Sequence, residues 1–341
     1  MNLADLNKVA IAMTANGKGI LAADESTGTI KKRFDAINTE CTEDSRRDYR
    51  EMMFRTTEAM KNHISGVILY DETIWQKAKD GTPLVDIIKK AGSIPGIKVD
   101  EGIKPLPNCP GETVTIGLDK LADRLAKYYE QGARFAKWRG VIDIGAGIPT
   151  ATCIHTNTHA LARYAALCQA AQIVPIVEPE VLMDGDHDID RCFEVTTAVL
   201  KAQFEELYRQ RVALEGIVLK PNMAISGKKN GKRASVEEVA EKTVRMLKNC
   251  VPGAVPGIAF LSGGQSDEEA TAHLDTMNKI GGLPWNLTFS YGRALQAAPQ
   301  KAWSGKAENY AAGQRAFAHR AHMNGLASLG QWKQDLEKKA A

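Results

Sequence analysis

The chain has 341 residues, 44% of them hydrophobic and 25% charged, with 29 Gly, 13 Pro and a net charge of +3. That usage excludes a low-complexity polymer and supplies apolar mass for one large core or two smaller ones. The balance is too mild, and the Lys and Arg too scattered among acids, for a nucleic-acid partner, and no apolar run reaches the ~18 residues of a membrane-spanning helix.

At the N-terminus, "MNLADLNKVAIAMTANGKG" carries Asp5 and Lys8 within its apolar stretch and lacks an A-x-A cleavage site, so it does not read as a signal peptide. Six cysteines, at 41, 109, 153, 168, 192 and 250, form no C-x-x-C and read as reduced thiols. A cytoplasmic location follows as the simplest expectation. "RRDYRE" and "KKNGKR" are the densest charge groups and read as solvated surface.

Eight short apolar segments read as buried strands: "GKGILAAD" (17–24), "SGVILYDE" (65–72), "PGIKVDEG" (95–102), "ARFAKWRGV" (133–141), "IVPIVEPEV" (173–181), "EGIVLKPN" (215–222), "GIAFLSGG" (257–264) and "NLTFSYGR" (286–293). Their starts lie about 30 to 50 residues apart, room for a strand, a helix and two loops. Between them, "LDKLADRLAKYYEQG" places Leu118, Leu121, Leu125 and Tyr128 at helical spacing and closes on Gly132. Ser235 with Glu238, and Ser266 with Glu269, have the spacing of capping boxes. With no linker, no internal repeat and no G-x-G-x-x-G after the first strand, the pattern predicts a single-domain α/β (β/α)₈ TIM barrel over 1–341 rather than an open doubly wound sheet, with a C-terminal tail from about 326.

Such a barrel collects its reactive groups at the C-terminal ends of its strands. Those ends here carry Asp24; Asp71 and Glu72; Lys98 and Asp100; Lys137 and Arg139; Glu178 and Glu180; Lys220; Ser262 and Gly263; and Ser290, Gly292 and Arg293. Neighbouring strands are about 4.8 Å apart, so Lys137, Glu178 and Lys220 can meet on one small molecule. A lysine amine attacks a carbonyl only when neutral; partial burial and a nearby cation such as Lys137 both favour that form. Glu178 and Asp24 are candidates for moving protons, whereas Glu180 is open to an equal reading as an ion-pair partner of one of the lysines. Ser262 and Arg293, after the seventh and eighth strands, suit a phosphate dianion. Lys98 and Arg139, across the mouth, make a second anion site, so the substrate expected is a small phosphorylated molecule charged at both ends.

The chain resembles the class I fructose-1,6-bisphosphate aldolases, the metal-independent Schiff-base family. The likeness runs from about residue 7 to about 325 through "GKGILAADESTGTI", "GIKVDEG", "FAKWR", "VPIVEPE", "DGDHD", "LKPNM", "FLSGGQS" and "LTFSYGRALQ". It implies that Lys220 forms the Schiff base and that Asp24, Lys137, Glu178 and Glu180 serve proton transfer and charge balance. It further implies that Ser262, Gly263, Ser290, Gly292 and Arg293 bind substrate on the ketone side, with Ser26, Thr29, Lys98 and Arg139 toward the other phosphate. A phosphorylated sugar as substrate, no cofactor, no metal, no nucleic acid, no membrane and a homotetramer are what the family implies. Two departures stand out: Thr29 replaces the usual serine, adding a methyl, and no tyrosine follows Tyr310 in a tail ending "DLEKKAA". Proton exchange on the enamine, which such a tail tyrosine assists in many animal members, then falls to another residue or water.

Three other readings compete. A metal-dependent aldolase needs a histidine cluster, for which only "HTNTH" (His155, His159) and "DGDHD" (His187) offer material. A transaldolase-like Schiff-base barrel shares the lysine but not a need for two phosphate sites. A catalytically idle scaffold would not require Lys220, Lys137, Glu178 and Asp24 together.

Overall fold

The computed structural model describes residues 1–340. Ten strands form: β1 (Gly19–Ala23), β2 (Ile64–Leu69), β3 (Ile94–Lys98), β4 (Ile103–Pro105), β5 (Thr113–Thr115), β6 (Phe135–Ile142), β7 (Val174–Val181), β8 (Val218–Leu219), β9 (Gly257–Phe260) and β10 (Asn286–Tyr291). Eight of them close a parallel barrel in the order β1-β10-β9-β8-β7-β6-β3-β2, and β4 and β5 make a separate antiparallel hairpin. Each parallel neighbour needs a crossover, which the intervening helices supply.

Continuous apolar runs in the sequence conceal a strict alternation. Ile20, Ala22, Ile68, Phe135, Val174, Ile176, Val218 and Ala259 pack into one cluster with Leu6, Ala10 and Met13 of helix Leu3–Met13. That cluster is the barrel interior, with the N-terminal helix packed onto it. Residues of the opposite parity, such as Ala136, Trp138, Val177 and Leu219, join the larger core between barrel and helices. Both faces are therefore buried, which is why the strands read as unbroken hydrophobic segments.

The expected helices are present. Leu121–Gln131 ends on Gly132 at φ 111°, a left-handed cap that glycine adopts without strain. Ser235 accepts from the Glu238 backbone N–H, and Ser266 with Glu269 forms the full reciprocal box.

Several boundaries differ from expectation. The second strand stops at Leu69, and Asp71 and Glu72 open the short helix Asp71–Trp75. Asp71 accepts from Tyr128 Oη at 2.7 Å and Glu72 pairs with Arg46 at 2.5 Å, so both are structural. β8 keeps only two residues because Leu214–Gly216 winds into a 3₁₀ turn before it and Pro221 has no N–H to extend it. "RRDYRE" is not solvated: Arg50 is 1% exposed, donating to Thr73 and the Glu25 carbonyl. Past helix Tyr310–Ala327 the chain packs back, Trp332 donating its backbone N–H to Asp275 at 2.8 Å and its Nε1 to Glu337 at 3.0 Å.

Candidate active site

On the inward face, the apolar layers give way to charge at the C-terminal ends of the strands. Along β6 the sequence Phe135, Lys137, Arg139 climbs from floor to mouth; along β7 it is Val174, Ile176, Glu178, Glu180. Register puts Lys98 beside Lys137 and Arg139 beside Glu178. Lys220 sits on the end of β8, its backbone N–H bonding the Val177 carbonyl at 2.8 Å and so continuing the ladder by one residue. Above these layers lies a cleft of about 340 Å³.

At its base is a chain of alternating charge. Lys220 Nζ lies 3.2 Å from Glu178 Oε1, Glu178 Oε2 lies 3.4 Å from Lys137 Nζ, and Lys137 Nζ lies 2.9 Å from Asp24 Oδ2. All four residues are under a tenth exposed. Burial, the largest influence on Lys137, opposes its charge, but Asp24, Glu178 and Asp100 together outweigh it and hold its pKa above the usual lysine range. For Asp24 burial likewise favours the neutral acid, yet Lys137, Lys220 and Lys98 keep its pKa well below the usual carboxylate range. Lys137 is therefore a fixed cation shared by two carboxylates. Glu178 Oε2 makes no hydrogen bond among the described residues, which leaves a lone pair for a proton.

Glu180 pairs with Arg139 rather than with a lysine. Lys98 Nζ is 3.6 Å from Asp100 and lies over the Tyr70 ring at 5.9 Å. Ser26 holds the N-cap position of helix Thr27–Asp35 without a side-chain capping bond, and its Oγ meets Thr29 Oγ1 at 3.1 Å. On the far wall, Ser262 Oγ accepts from the Ala294 N–H at 3.4 Å, and the Ser290 hydroxyl is buried without a partner among the described residues. Gly292 precedes Arg293, which is the first residue of helix Arg293–Trp303 rather than a strand end. The cleft wall contains every catalytic and substrate-binding residue implied by the resemblance except Gly263, whereas the strand-end acids Asp71 and Glu72 lie outside it. A Cβ on Gly263 would fall 2.0 Å from Met183 Cε, the terminal methyl of a flexible side chain, so a larger residue there would require Met183 to move.

Two charged wall residues, Arg33 and Glu25, escaped the sequence reading. Arg33 pairs with Glu25 inside the cleft, and an added Cβ on Gly292 would lie 3.7 Å from Arg33 Nη2. The signal was available: Ser26, Thr29 and Arg33 recur at i, i+3 and i+7 on one helical face. Glu25 carried none, since it follows the strand end and is recruited by Arg33 and Gln296.

The histidines lie elsewhere. His155 and His159, on helix Ala151–Ala170, both face Glu206, at 3.7 and 2.9 Å. His187 is buried, and burial pushes its pKa down. Among the described residues no group of three or more His, Cys, Asp and Glu is arranged to hold a metal ion. Among the described residues no helix is long and apolar enough to cross a membrane.

Comparison with known proteins agrees with this geometry. The family model described as "Fructose-bisphosphate aldolase class-I" matches residues 5–341. A Xanthomonas campestris protein named "Probable fructose-bisphosphate aldolase class 1" is 58% identical over 334 residues, covering 98% of this chain and all of the relative. "Fructose-bisphosphate aldolase 4, cytosolic" of Arabidopsis thaliana is 54% identical over 94% of this chain and 82% of its own length. The solved fructose-bisphosphate aldolase of Plasmodium falciparum superposes with a TM-score of 0.94 at 47% identity, covering 97% of this chain and 96% of that one. With a lysine–carboxylate chain at the mouth of a closed barrel and likeness along its whole length, this chain belongs to the class I fructose-bisphosphate aldolases.

Proposed function

We propose that Lys220 is the residue through which this enzyme works, and that Glu178, Lys137 and Asp24 are the groups that move its protons. The activity is that of its family: reversible cleavage of fructose 1,6-bisphosphate to dihydroxyacetone phosphate and glyceraldehyde 3-phosphate through a lysine Schiff base. Lys220 Nζ attacks the ketone carbon, water leaves, and a protonated imine forms. The bond between C3 and C4 then breaks, its electron pair passing to the iminium nitrogen to give an enamine, while the C4 hydroxyl proton passes to a base. Release of the aldehyde, protonation of the enamine at C3 and hydrolysis of the imine return the amine.

Glu178, 3.2 Å from Nζ and with one oxygen unbonded, is placed to carry protons on and off the carbinolamine. Asp24, fixed by Lys137, takes the C4 hydroxyl proton as the bond parts. Lys137 and the Arg139–Glu180 pair balance charge around the imine. Ser262, Gly263, Ser290, Gly292 and Arg293 receive the phosphate nearest the ketone, with Arg33 within reach of Gly292. Ser26, Thr29, Lys98 and Arg139 face the other phosphate. In this reading the chain is one domain over 1–341 with a C-terminal tail from about 326; it acts as a cytoplasmic homotetramer.

The observation that carries the assignment is the contact of Lys220 with Glu178 in a cleft flanked by two cationic groups. Borohydride with dihydroxyacetone phosphate should inactivate the enzyme and attach the reduced ketone to the peptide containing Lys220, and activity should survive EDTA. A label on Lys98 or Lys137, or loss of activity with the chelator, refutes it. Sedimentation at four times the 37.1 kDa chain mass tests the tetramer.

A further inference from the structure

Arg293 lies in the cleft wall with one edge of its fork already engaged. Its Nη1 donates to Asp267 Oδ1 at 3.1 Å and its Nη2 to the Gln265 carbonyl. Asp267 is the first residue of helix Asp267–Ile280, and the box between Ser266 and Glu269 pins that helix start. Behind it, buried Arg320 donates to the Asp267 carbonyl at 3.3 Å and to Thr271 Oγ1 at 2.6 Å, while its other nitrogen holds Glu337 at 2.6 Å. Arg320 thus holds the Asp267 backbone, while the Asp267 carboxylate faces Arg293. A guanidinium carries five N–H groups in one plane. Two are used on the Asp267 and Gln265 side, and the side chain, 43% exposed, keeps the rest for the cleft.

We propose that Asp267 is a positioning residue for substrate: it fixes the plane of Arg293 so that the free edge meets a phosphate. The proposal rests on the assignment of Arg293 to the ketone-end phosphate. A long arginine otherwise loses rotamer freedom when it binds, and a carboxylate that already holds one edge removes much of that cost in advance. Nothing in this role touches the ketone or the imine. It should therefore appear only with ligands that carry the phosphate.

Borohydride trapping on Lys220 separates the two, using dihydroxyacetone phosphate in one arm and phosphate-free dihydroxyacetone in the other. For Asp267→Asn, the concentration giving half-maximal trapping is expected to rise about five- to tenfold with the phosphorylated ketone, and to stay unchanged with dihydroxyacetone. Asp267→Glu, which restores the charge on a longer arm, should recover part of the loss. A general weakening of the helix start would shift both ketones together, and that result overturns the proposal. So does an unchanged Asp267→Asn beside an Arg293→Ala variant that does lose phosphate preference. If Arg293→Ala itself keeps that preference, the phosphate assignment fails first and the positioning role falls with it.

Discussion

The floor and the mouth of the barrel use the same strands, the same inward face and nearly the same burial, yet opposite chemistry. On β7, Ile176 and Glu178 are two residues apart; both point inward and both are under 4% exposed. Ile176 is held by apolar contact alone. Glu178 is tolerable only because Lys220 and Lys137 stand on either side of it. The floor therefore adds stability without chemistry, and the mouth holds chemistry whose charges are stable only as a set. Each prediction below breaks that contrast or sharpens it.

The largest effect should come from Lys137→Met, which fills the space and removes the shared cation. Asp24 and Glu178 are then buried with their 2.9 and 3.4 Å partner gone, and loss of one member of a buried pair costs about 3–5 kcal/mol. Urea denaturation should show that loss, and kcat should drop at least about 100-fold as the proton-transfer geometry dissolves. Stability within experimental error of wild type would mean the charges at the mouth do not act as a set.

Next comes Ile176→Ala on the floor. Deleting a fully buried isoleucine side chain costs about 2–5 kcal/mol, while KM and kcat should stay within twofold of wild type. A large kcat loss there would show that floor and mouth are not separable.

Arg293→Ala should raise KM for fructose 1,6-bisphosphate at least about tenfold, since a charge-assisted bond of roughly 1.5–3 kcal/mol is removed. kcat should fall as well, because that remote contact helps hold the ketone against Lys220. Arg293→Lys should recover only part. Arg191, exposed and paired with exposed Glu194, is the control, and the same change there should do little. Equal KM values for Arg293→Ala and wild type would remove the helix start after β10 from the phosphate site.

The smallest effect is the pH dependence of Asp24→Asn. The folded pKa of Asp24 lies below its ordinary 3.8, so its carboxylate contributes stability above that pH and loses it as pH falls through the folded value. The gap in denaturation midpoint between wild type and Asp24→Asn should be constant from about pH 5 to 8 and narrow as the pH is lowered below 3.8. A gap that widens on acidification would mean that Asp24 is protonated in the native state.

How far the sequence reached can be seen residue by residue. Eight strands at regular spacing forced a barrel, because parallel strands buried on both faces admit few closures in one undivided chain. Lys137, Glu178 and Lys220 were legible as a group, since strand order alone places neighbouring strand ends within reach of one molecule. What the letters could not settle was partnership. Whether Glu180 turns to a lysine or to Arg139, and whether Arg293 ends a strand or opens a helix, depends on register and on where a ladder stops. Those are set by contacts between segments 40 or more residues apart in the chain, as with Arg139 and Glu180. Arg50 and Asp267 make the same point: each looks like surface charge in its local window, and each is drawn inward by a partner that only the closed barrel brings near. Local sequence determined which face each side chain would take; tertiary closure alone decided which charge would meet which, because electrostatic pairing depends on distance through space and not on distance along the chain.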